Sequence, residues 1–130
     1  MPKARKGAAI AQYNLGWMYY KDRGVPQSDT EALKWYRLAA DQGFSSAQYC
    51  LGVMYANGQG VPKNMIIAYA LVLAAALQSS HEDFHIARNT LMKELSKSDL
   101  EMAEALSLEI QKLGNLLAAL DNFQNNSKEK

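Results

Sequence analysis

The stretch that decides the fold is AQYNLGWMY at residues 11–19, because it returns as AQYCLGVMY at residues 47–55. A second shared stretch, GVP, follows each copy at residues 24–26 and 60–62. Both pairs are separated by 36 residues, and a fixed period of this size is typical of solenoids, in which each unit packs against its neighbours. The sequence therefore predicts a repeat protein, an architecture that usually offers a binding surface rather than a catalytic pocket.

The first repeat is predicted to be a pair of antiparallel helices. Its helix A is expected from about Ala8 to Lys21 and ends near Gly24, whose missing Cβ allows the left-handed C-terminal turn. Pro26 prevents that helix from resuming. The run Ser28-Asp29-Thr30-Glu31 is a capping box, in which a hydroxyl and a carboxylate each satisfy a free backbone N–H. Helix B is therefore expected to begin there and to end at Gly43.

The second repeat follows the same plan. Ser45 together with Gln48 is expected to cap its helix A, residues 58–62 make the turn, and Asn64 caps its helix B. Gly16 and its counterpart Gly52 lie in mid-helix, where glycine costs stability. Both are therefore predicted to allow close approach of a neighbouring helix.

Helix B of the second repeat is apolar on all sides, since residues 65–77 contain only apolar residues and Tyr69. Such a helix has to be covered on several sides, and it is too short for a membrane span, which needs about 20 residues. The cover is expected from a helix that Ser79 and Glu82 cap and that continues to about Leu95. A further helix is expected from the overlapping caps at residues 96–101 to Phe123, with Gly114 bending or dividing it.

The two copies resemble the Sel-one-like repeat family, relatives of tetratricopeptide repeats with a slightly longer unit. The resemblance covers residues 3–79 and rests on A-Q-x-x-L-G-x-M-Y, then G-x-G-V or its variant, then A-x-x-W-Y-x-x-A-A-x-Q-G. It implies a helical solenoid that works as an adaptor or scaffold in protein–protein contacts. Leu71-Val72 stands where the family prefers Trp-Tyr, and Ser79 replaces the closing glycine, so the repetition is expected to end at residue 79.

These patterns together predict an all-α fold, an α/α solenoid of two 36-residue helix-pair repeats plus a C-terminal helical cap. The expected divisions are 3–7 as the remnant of a preceding repeat, 8–43 and 44–79 as repeats, 80–123 as capping helices and 124–130 as a frayed tail. On this interpretation the array is cut at its N-terminal end. Self-association through that open face is then an alternative to binding a different protein.

Composition and charge exclude several classes of function. The formal charge is +1 and the basic residues are dispersed, so there is no electrostatic reason to expect nucleic acid. Cys50 is the only cysteine, which suits a reducing compartment. The basic start is not followed by the apolar run of a signal peptide, so the chain is expected to be cytoplasmic and not membrane-inserted. A secreted origin is the alternative if the chain is a fragment.

One motif favours an enzyme. His81-Glu82-Asp83-Phe84-His85 fits H-E-x-x-H, in which two imidazoles one helical turn apart bind zinc and the glutamate activates water. Here the motif opens a helix instead of lying inside one, and the chain has no third histidine. A zinc-dependent hydrolase with His81 and His85 as ligands is therefore the minor alternative, and the main expectation is a non-enzymatic protein with no metal and no cofactor.

The positions of helix A that differ between the copies fall on one side of the helix. At about 100° per residue they form a narrow stripe. The stripe consists of Ile10, Asn14, Trp17 and Lys21 in the first repeat and Ser46, Cys50, Val53 and Asn57 in the second. The shared Ala11, Leu15 and Met18 lie on another side, which is expected to face the core.

This variable stripe is predicted to bind a protein or peptide, because the A helices of such solenoids generally line the concave groove. Trp17, flanked by Tyr13 and Tyr20, is the expected anchor, since aromatic residues commonly carry much of the binding energy of an interface. The alternative for Trp17 is packing against a preceding repeat. We refer to the stripe together with Tyr13 and Tyr20 as the predicted groove residues.

Overall fold

The structure, a computed structural model, describes residues 2–21, 28–112 and 116–128, with side chains described for 8–21, 28–112 and 116–125. Over these ranges the chain forms seven α-helices and no strand, which confirms the all-α prediction. The helices are α1 (Pro2–Lys21), α2 (Asp29–Asp41), α3 (Ser45–Asn57), α4 (Met65–Gln78), α5 (Glu82–Met92), α6 (Lys97–Ile110) and α7 (Leu116–Lys128). None of these helices is long and apolar enough to cross a membrane.

The helices pack in the order of a solenoid. The pairs α1–α2 and α3–α4 are the two predicted repeats, and α2 also packs against α3. The apolar helix α4 is covered by α3 on one side and by α5 and α6 on others. Its burial is almost complete, because nine of its residues are buried: Ile67, Ala68, Tyr69, Ala70, Leu71, Val72, Ala74, Ala75 and Ala76. The predicted C-terminal cap is therefore present.

Both mid-helix glycines lie where two helices come close together, as predicted. A β-carbon built on Gly16 would stand 2.8 Å from Cδ1 of Tyr36, and one built on Gly52 would stand 2.8 Å from Cγ2 of Val72. Real β-carbons do not approach other atoms so closely. The glycines thus allow helix A of each repeat to rest directly on its own helix B.

A second contact also recurs in both repeats. The amide of Gln42 donates a hydrogen bond to Gln12 Oε1, and that of Gln78 donates one to Gln48 Oε1 at 3.1 Å. These glutamines are equivalent positions in the two copies. Each repeat therefore joins its helix A to the end of its helix B by the same pair of side chains.

The predicted helix caps are confirmed in part, because the Ser28 N–H donates to the Tyr19 carbonyl oxygen at 3.0 Å and the Glu31 half of the capping box is not formed. The side-chain oxygens of Ser28, Asn64 and Ser96 accept hydrogen bonds from the backbone N–H three residues later, at 3.1, 3.0 and 3.1 Å. Gly43 and Gly58 have the left-handed φ angles of 86° and 68° that end α2 and α3. Residues that carry a β-carbon adopt such angles only with strain.

Two expectations about the A helices are wrong. The N-cap of α3 is Phe44, which makes no side-chain capping bond, and Ser45 is already helical. Gln48 is buried instead and donates to the carbonyl oxygen of Ala40 at 3.3 Å, so its amide serves the contact between repeats. Helix α1 begins at Pro2 rather than near Ala8, and residues 3–7 continue into it. The predicted turn at Gly24 and Pro26 lies outside the described residues.

The C-terminal helices also differ from expectation in detail. His81 caps α5 through its Nδ1, which accepts from the Asp83 N–H at 3.2 Å, so Ser79 and Glu82 do not form the predicted capping box. Helix α5 ends at Met92 rather than near Leu95. Separate helices α6 and α7 stand where a helix bent or divided at Gly114 was expected, and Gly114 itself lies outside the described residues. Helix α7 continues to Lys128, where a frayed tail was expected.

Helix α7 folds back onto the first repeat, which the sequence did not predict. The Leu117 N–H donates to Asp41 Oδ1 at 3.3 Å, and Arg37 lies 3.6 Å from Asp121. The C-terminal cap therefore contacts both α4 and α2, one helix from each repeat.

The side of helix A expected to face the core does so fully only in the second repeat. Ala47, Leu51 and Met54 are buried, whereas their counterparts in α1 are exposed at Ala11 and half-buried at Leu15 and Met18. The reason is the number of neighbours, because α3 packs against both α2 and α4, while α1 packs mainly against α2.

Candidate functional site

A cavity of about 270 Å³ lies between the A helices of the two repeats. Helices α1 and α3 form its walls, and α2, which both contact, contributes one side chain. The lining residues are Tyr13, Trp17, Tyr20, Lys21, Tyr36, Tyr49, Cys50 and Val53. Both repeats are therefore needed to form it.

Aromatic rings make up most of the lining. The Tyr36 ring centroid lies 5.7 Å from that of Tyr13 and 6.4 Å from that of Tyr20, both in tilted arrangements. Trp17 is 38% exposed, so a large part of its indole is accessible in the groove. On the other wall, the Tyr49 ring packs against Phe84 of α5 at 4.9 Å. The C-terminal cap thus supports one side of the site.

Burial keeps several polar groups of the cavity wall protonated at neutral pH. Burial raises the pKa of Tyr13 to about 12, with a further contribution from the nearby Cys50. Burial also raises the pKa of Cys50, and the neighbouring hydroxyls of Tyr13 and Tyr36 and the Lys21 ammonium only partly offset that effect. The pKa of Tyr49 is raised by burial and then by Asp83. These groups are therefore hydrogen-bond donors, and the thiol is not an activated nucleophile.

The hydroxyl of Tyr36 differs from the others. Tyr36 is 1% exposed, and within the described part of the chain its hydroxyl has no hydrogen-bond partner. Burial, followed by the nearby Cys50, raises its pKa well above the usual range. The Cys50 thiol lies beside this hydroxyl and contributes to that rise in pKa, and sulfur is a weak hydrogen-bond acceptor.

Six of the predicted groove residues line the cavity and four do not. Those in the lining are Tyr13, Trp17, Tyr20, Lys21, Cys50 and Val53. Ile10 and Asn14 are exposed on α1, Asn57 is exposed at the end of α3, and Ser46 is half-buried at its start. Asn57 and Tyr20 nevertheless share a partner, because both donate to Gln59 Oε1, at 3.4 and 3.0 Å.

Two lining residues escaped the sequence analysis. Tyr49 is identical to Tyr13 in the other repeat, so a search for differing positions could not select it. Tyr36 lies on helix B, whereas the variable stripe is defined on helix A. A signal for Tyr36 did exist, because it is an aromatic residue at a position that packs on a mid-helix glycine, whereas its counterpart Val72 is aliphatic.

The H-E-x-x-H segment has the geometry of a helix N-terminus. His81 lies outside α5 and caps it, and its ring stacks on that of Phe84 at 4.9 Å. His85 Nε2 is 3.1 Å from the Ser79 carbonyl oxygen. Among the described residues, no three His, Cys, Asp or Glu side chains are grouped so that they could hold a metal ion. The two histidines are thus used in local contacts at the start of α5.

Comparison with known proteins gives two kinds of match. The sequence profile of the Sel1 repeat matches residues 9–44 and 45–80. A crystal structure of a protective antigen from uropathogenic Escherichia coli strains, described as displaying an SLR fold, is 33% identical with a TM-score of 0.80. It covers 94% of this chain, which spans only 26% of the antigen.

A second similar structure is a Sel1 repeat protein from Oxalobacter formigenes. It is 39% identical with a TM-score of 0.62, and the match covers 67% of this chain and 65% of that one. Both neighbours are helical repeat proteins, which agrees with the fold described above.

Proposed function

This chain belongs to the Sel1 repeat family, and on that premise we propose that it binds a protein partner in the groove between α1 and α3. Sel1 repeat proteins are generally protein-interaction modules and typically scaffolds rather than enzymes. The proposal assigns this general role to one surface of this chain, the predicted groove residues and the two tyrosines that complete the cavity.

The observation that carries the proposal is the cavity between the two repeats. Pockets that bind partners are concave and mostly apolar, with a few polar groups that orient what binds. Here aromatic rings form the walls, and hydroxyls, a thiol and one ammonium group supply the polar atoms. Trp17 is exposed at this site, and tryptophan and tyrosine are the residues most often found to dominate binding energy.

The proposal is tested by capture of partners with chemical crosslinking, comparing the wild-type chain with Trp17→Ala. The matched control is Leu108→Ala, because Leu108 is a large apolar residue that is 66% exposed on α6, far along the chain from the cavity. We expect Trp17→Ala to lose the crosslinked partner and Leu108→Ala to retain it, with thermal unfolding of both variants close to wild type.

Two results would count against the proposal. Capture that is unchanged by Trp17→Ala would show that the partner binds elsewhere. Loss of the cooperative unfolding transition in Trp17→Ala would show that this side chain belongs to the core of the fold.

A further inference from the structure

Three aromatic residues of α1 form a row along the cavity. Tyr13, Trp17 and Tyr20 are four and three residues apart, so they fall within about 60° of each other on one side of the helix. All three line the cavity, with Trp17 38% exposed and the two tyrosines half-buried. At about 1.5 Å per residue, this aromatic row is about 10 Å long from Tyr13 to Tyr20.

The aromatic row is specific to the first repeat. The equivalent positions of α3 hold one tyrosine and two aliphatic residues, Tyr49, Val53 and Ala56. The packing that both repeats share therefore does not require aromatic rings at Trp17 and Tyr20. Tyr20 is held in place at the end of the row, because its hydroxyl donates to Gln59 Oε1 at 3.0 Å. These observations indicate that the row serves a ligand.

The polar groups of the cavity wall restrict which peptide backbone can lie against it. Among the described lining residues no side chain is a carboxylate or an amide, and the carbonyl oxygens along α1 and α3 accept bonds within their own helices. Lys21 and Trp17 have donors only, and burial keeps the hydroxyls of Tyr13 and Tyr49 protonated. Backbone N–H groups of an ordinary extended peptide would thus be left unpaired against this wall, which is unfavourable.

A polyproline II segment meets these conditions. Proline has no backbone N–H, and the polyproline II helix has no internal hydrogen bonds, so its carbonyl oxygens are available to the donors of the wall. An α-helical ligand uses its carbonyl oxygens internally, and an added β-strand needs a sheet edge, which the described residues do not form. Grooves lined by aromatic rings are also the usual binding sites of proline-rich segments.

We propose that the groove binds a proline-rich segment of the partner protein, in polyproline II conformation, lying along α1. Prolines three residues apart lie on the same side of such a segment at a spacing of about 9 Å, which matches the length of the aromatic row. One proline ring packs on Tyr13 and the other on Tyr20, while Trp17 contacts the segment between them. The inference rests on the proposed function and adds the chemistry of the partner.

The first experiment selects peptides from a random display library on the immobilised full chain. We expect enrichment of two prolines three residues apart, and loss of that enrichment on Trp17→Ala. A selected peptide is then synthesised with both ends blocked, together with versions in which either proline becomes alanine or N-methylalanine. Binding of each peptide is measured by fluorescence polarisation.

The peptide versions separate the two properties of proline. Replacement of either proline by alanine should weaken binding about five- to tenfold, because it introduces an N–H, removes the ring and makes the free peptide more flexible. N-methylalanine also lacks the N–H, so it should lose less than alanine at the same position. Equal losses for the two replacements would assign the preference to the proline ring alone and overturn the argument from the donors of the wall.

Variants of the chain test the spacing. Tyr20→Leu keeps an apolar side chain but removes the ring, and it should weaken the selected peptide about fivefold. On this variant, replacement by alanine should have little further effect at one proline and its full effect at the other. The controls are Gln59→Ala, which removes only the partner of the Tyr20 hydroxyl, and Leu108→Ala on α6. Both should bind the peptide within about twofold of the wild-type chain.

The outcomes distinguish this inference from the proposed function. A consensus of large apolar residues without spaced prolines, lost on Trp17→Ala, would overturn the inference and leave the proposed function intact. Prolines that alanine replaces without loss of affinity would do the same. Absence of any peptide whose binding depends on Trp17 would argue against both. Thermal unfolding of each variant is measured alongside, and the peptide versions test the inference on the wild-type chain if a variant does not fold.

Discussion

The ring of Tyr36 occupies the space that a side chain on Gly16 would need, with Cδ1 and Cε1 at 2.8 and 2.9 Å from the position of the missing β-carbon. Val72 and Gly52 form the equivalent contact in the second repeat. The two contacts set helix A on helix B in the same way. Only the first also contributes an aromatic ring to the groove, so one packing contact supports both the repeat and the candidate site.

Substitution of Gly52 by alanine is expected to destabilise the fold by about 1–3 kcal/mol, as overpacking of a close helix contact usually does. Alanine is the better helix former by up to about 1 kcal/mol, so the clash must exceed that gain. Its β-carbon would lie 3.0 Å from the carbonyl oxygen of Ala68, a backbone atom that cannot move aside alone. Chemical denaturation of the variant measures the change.

Gly16→Ala is expected to cost less than Gly52→Ala. The nearest backbone oxygen, that of Ala32, is 3.3 Å away, and the Tyr36 ring borders a cavity into which it can shift. As a control, Val72→Ala in the Gly52→Ala background should recover part of the lost stability, measured as a coupling energy in a double-mutant cycle. Strictly additive effects of these two substitutions would contradict the proposed clash.

Alanine substitutions should lower the free energy of unfolding at the three capping residues but not at Ser45, where a cap was wrongly predicted. Ser28→Ala, Asn64→Ala and Ser96→Ala each remove an oxygen that accepts from a free backbone N–H and should cost about 1 kcal/mol. Ser45→Ala should change the free energy of unfolding by less than about 0.5 kcal/mol, because Ser45 makes no capping bond. A cost for Ser45→Ala equal to the other three would restore the original interpretation.

The Cys50 thiol is expected to react with iodoacetamide at pH 8 more slowly in the native chain than in the unfolded chain. Burial both limits access and raises the pKa of the thiol, and only the thiolate is the nucleophile. The rate is followed by mass spectrometry, with the chain in denaturant as the reference. A bound partner should slow the reaction further, because Cys50 lines the cavity. Equal rates in native and unfolded chains would show that the thiol is not buried.

The fold should lose stability at alkaline pH because of Tyr13. Burial raises its pKa from the ordinary 10.0 to about 12 in the folded state, so the folded state keeps a proton that the unfolded state releases. The associated stability is fully present below pH 10 and is lost as the pH rises towards 12. Denaturation curves at several pH values measure this loss. It should be smaller in Tyr13→Phe, and an equal loss in that variant would assign the effect to other groups.

Much of the fold was predictable from local patterns. The 36-residue period indicated paired helices, Ser28 and Asn64 marked the starts of the B helices, and the all-apolar residues 65–77 indicated a covering cap. These features depend on neighbouring residues along one helix, whose geometry the sequence encodes directly. The predicted cap at Ser45 was wrong, because the Gln48 amide donates to the carbonyl oxygen of Ala40 in the neighbouring helix.

The candidate site was predictable only in part. Comparing the copies identified the side of helix A that carries Trp17 and Cys50, because differing positions of a repeat are those that the shared packing does not constrain. The comparison could not identify Tyr49, which repeats for reasons of packing and also lines the cavity. It also included Ile10 and Asn14, which lie on the same stripe but outside the cavity.

Periodicity alone determined that this chain is a helical repeat protein and which side of its A helices varies. The tertiary structure decided that Tyr36 reaches between two A helices, and that Asp41 meets Leu117 as α7 returns to α2. The physical reason is the range of the interactions. Helix spacing and capping act over a few residues, whereas the cavity and the return of α7 depend on how whole helices stack, which places distant residues side by side.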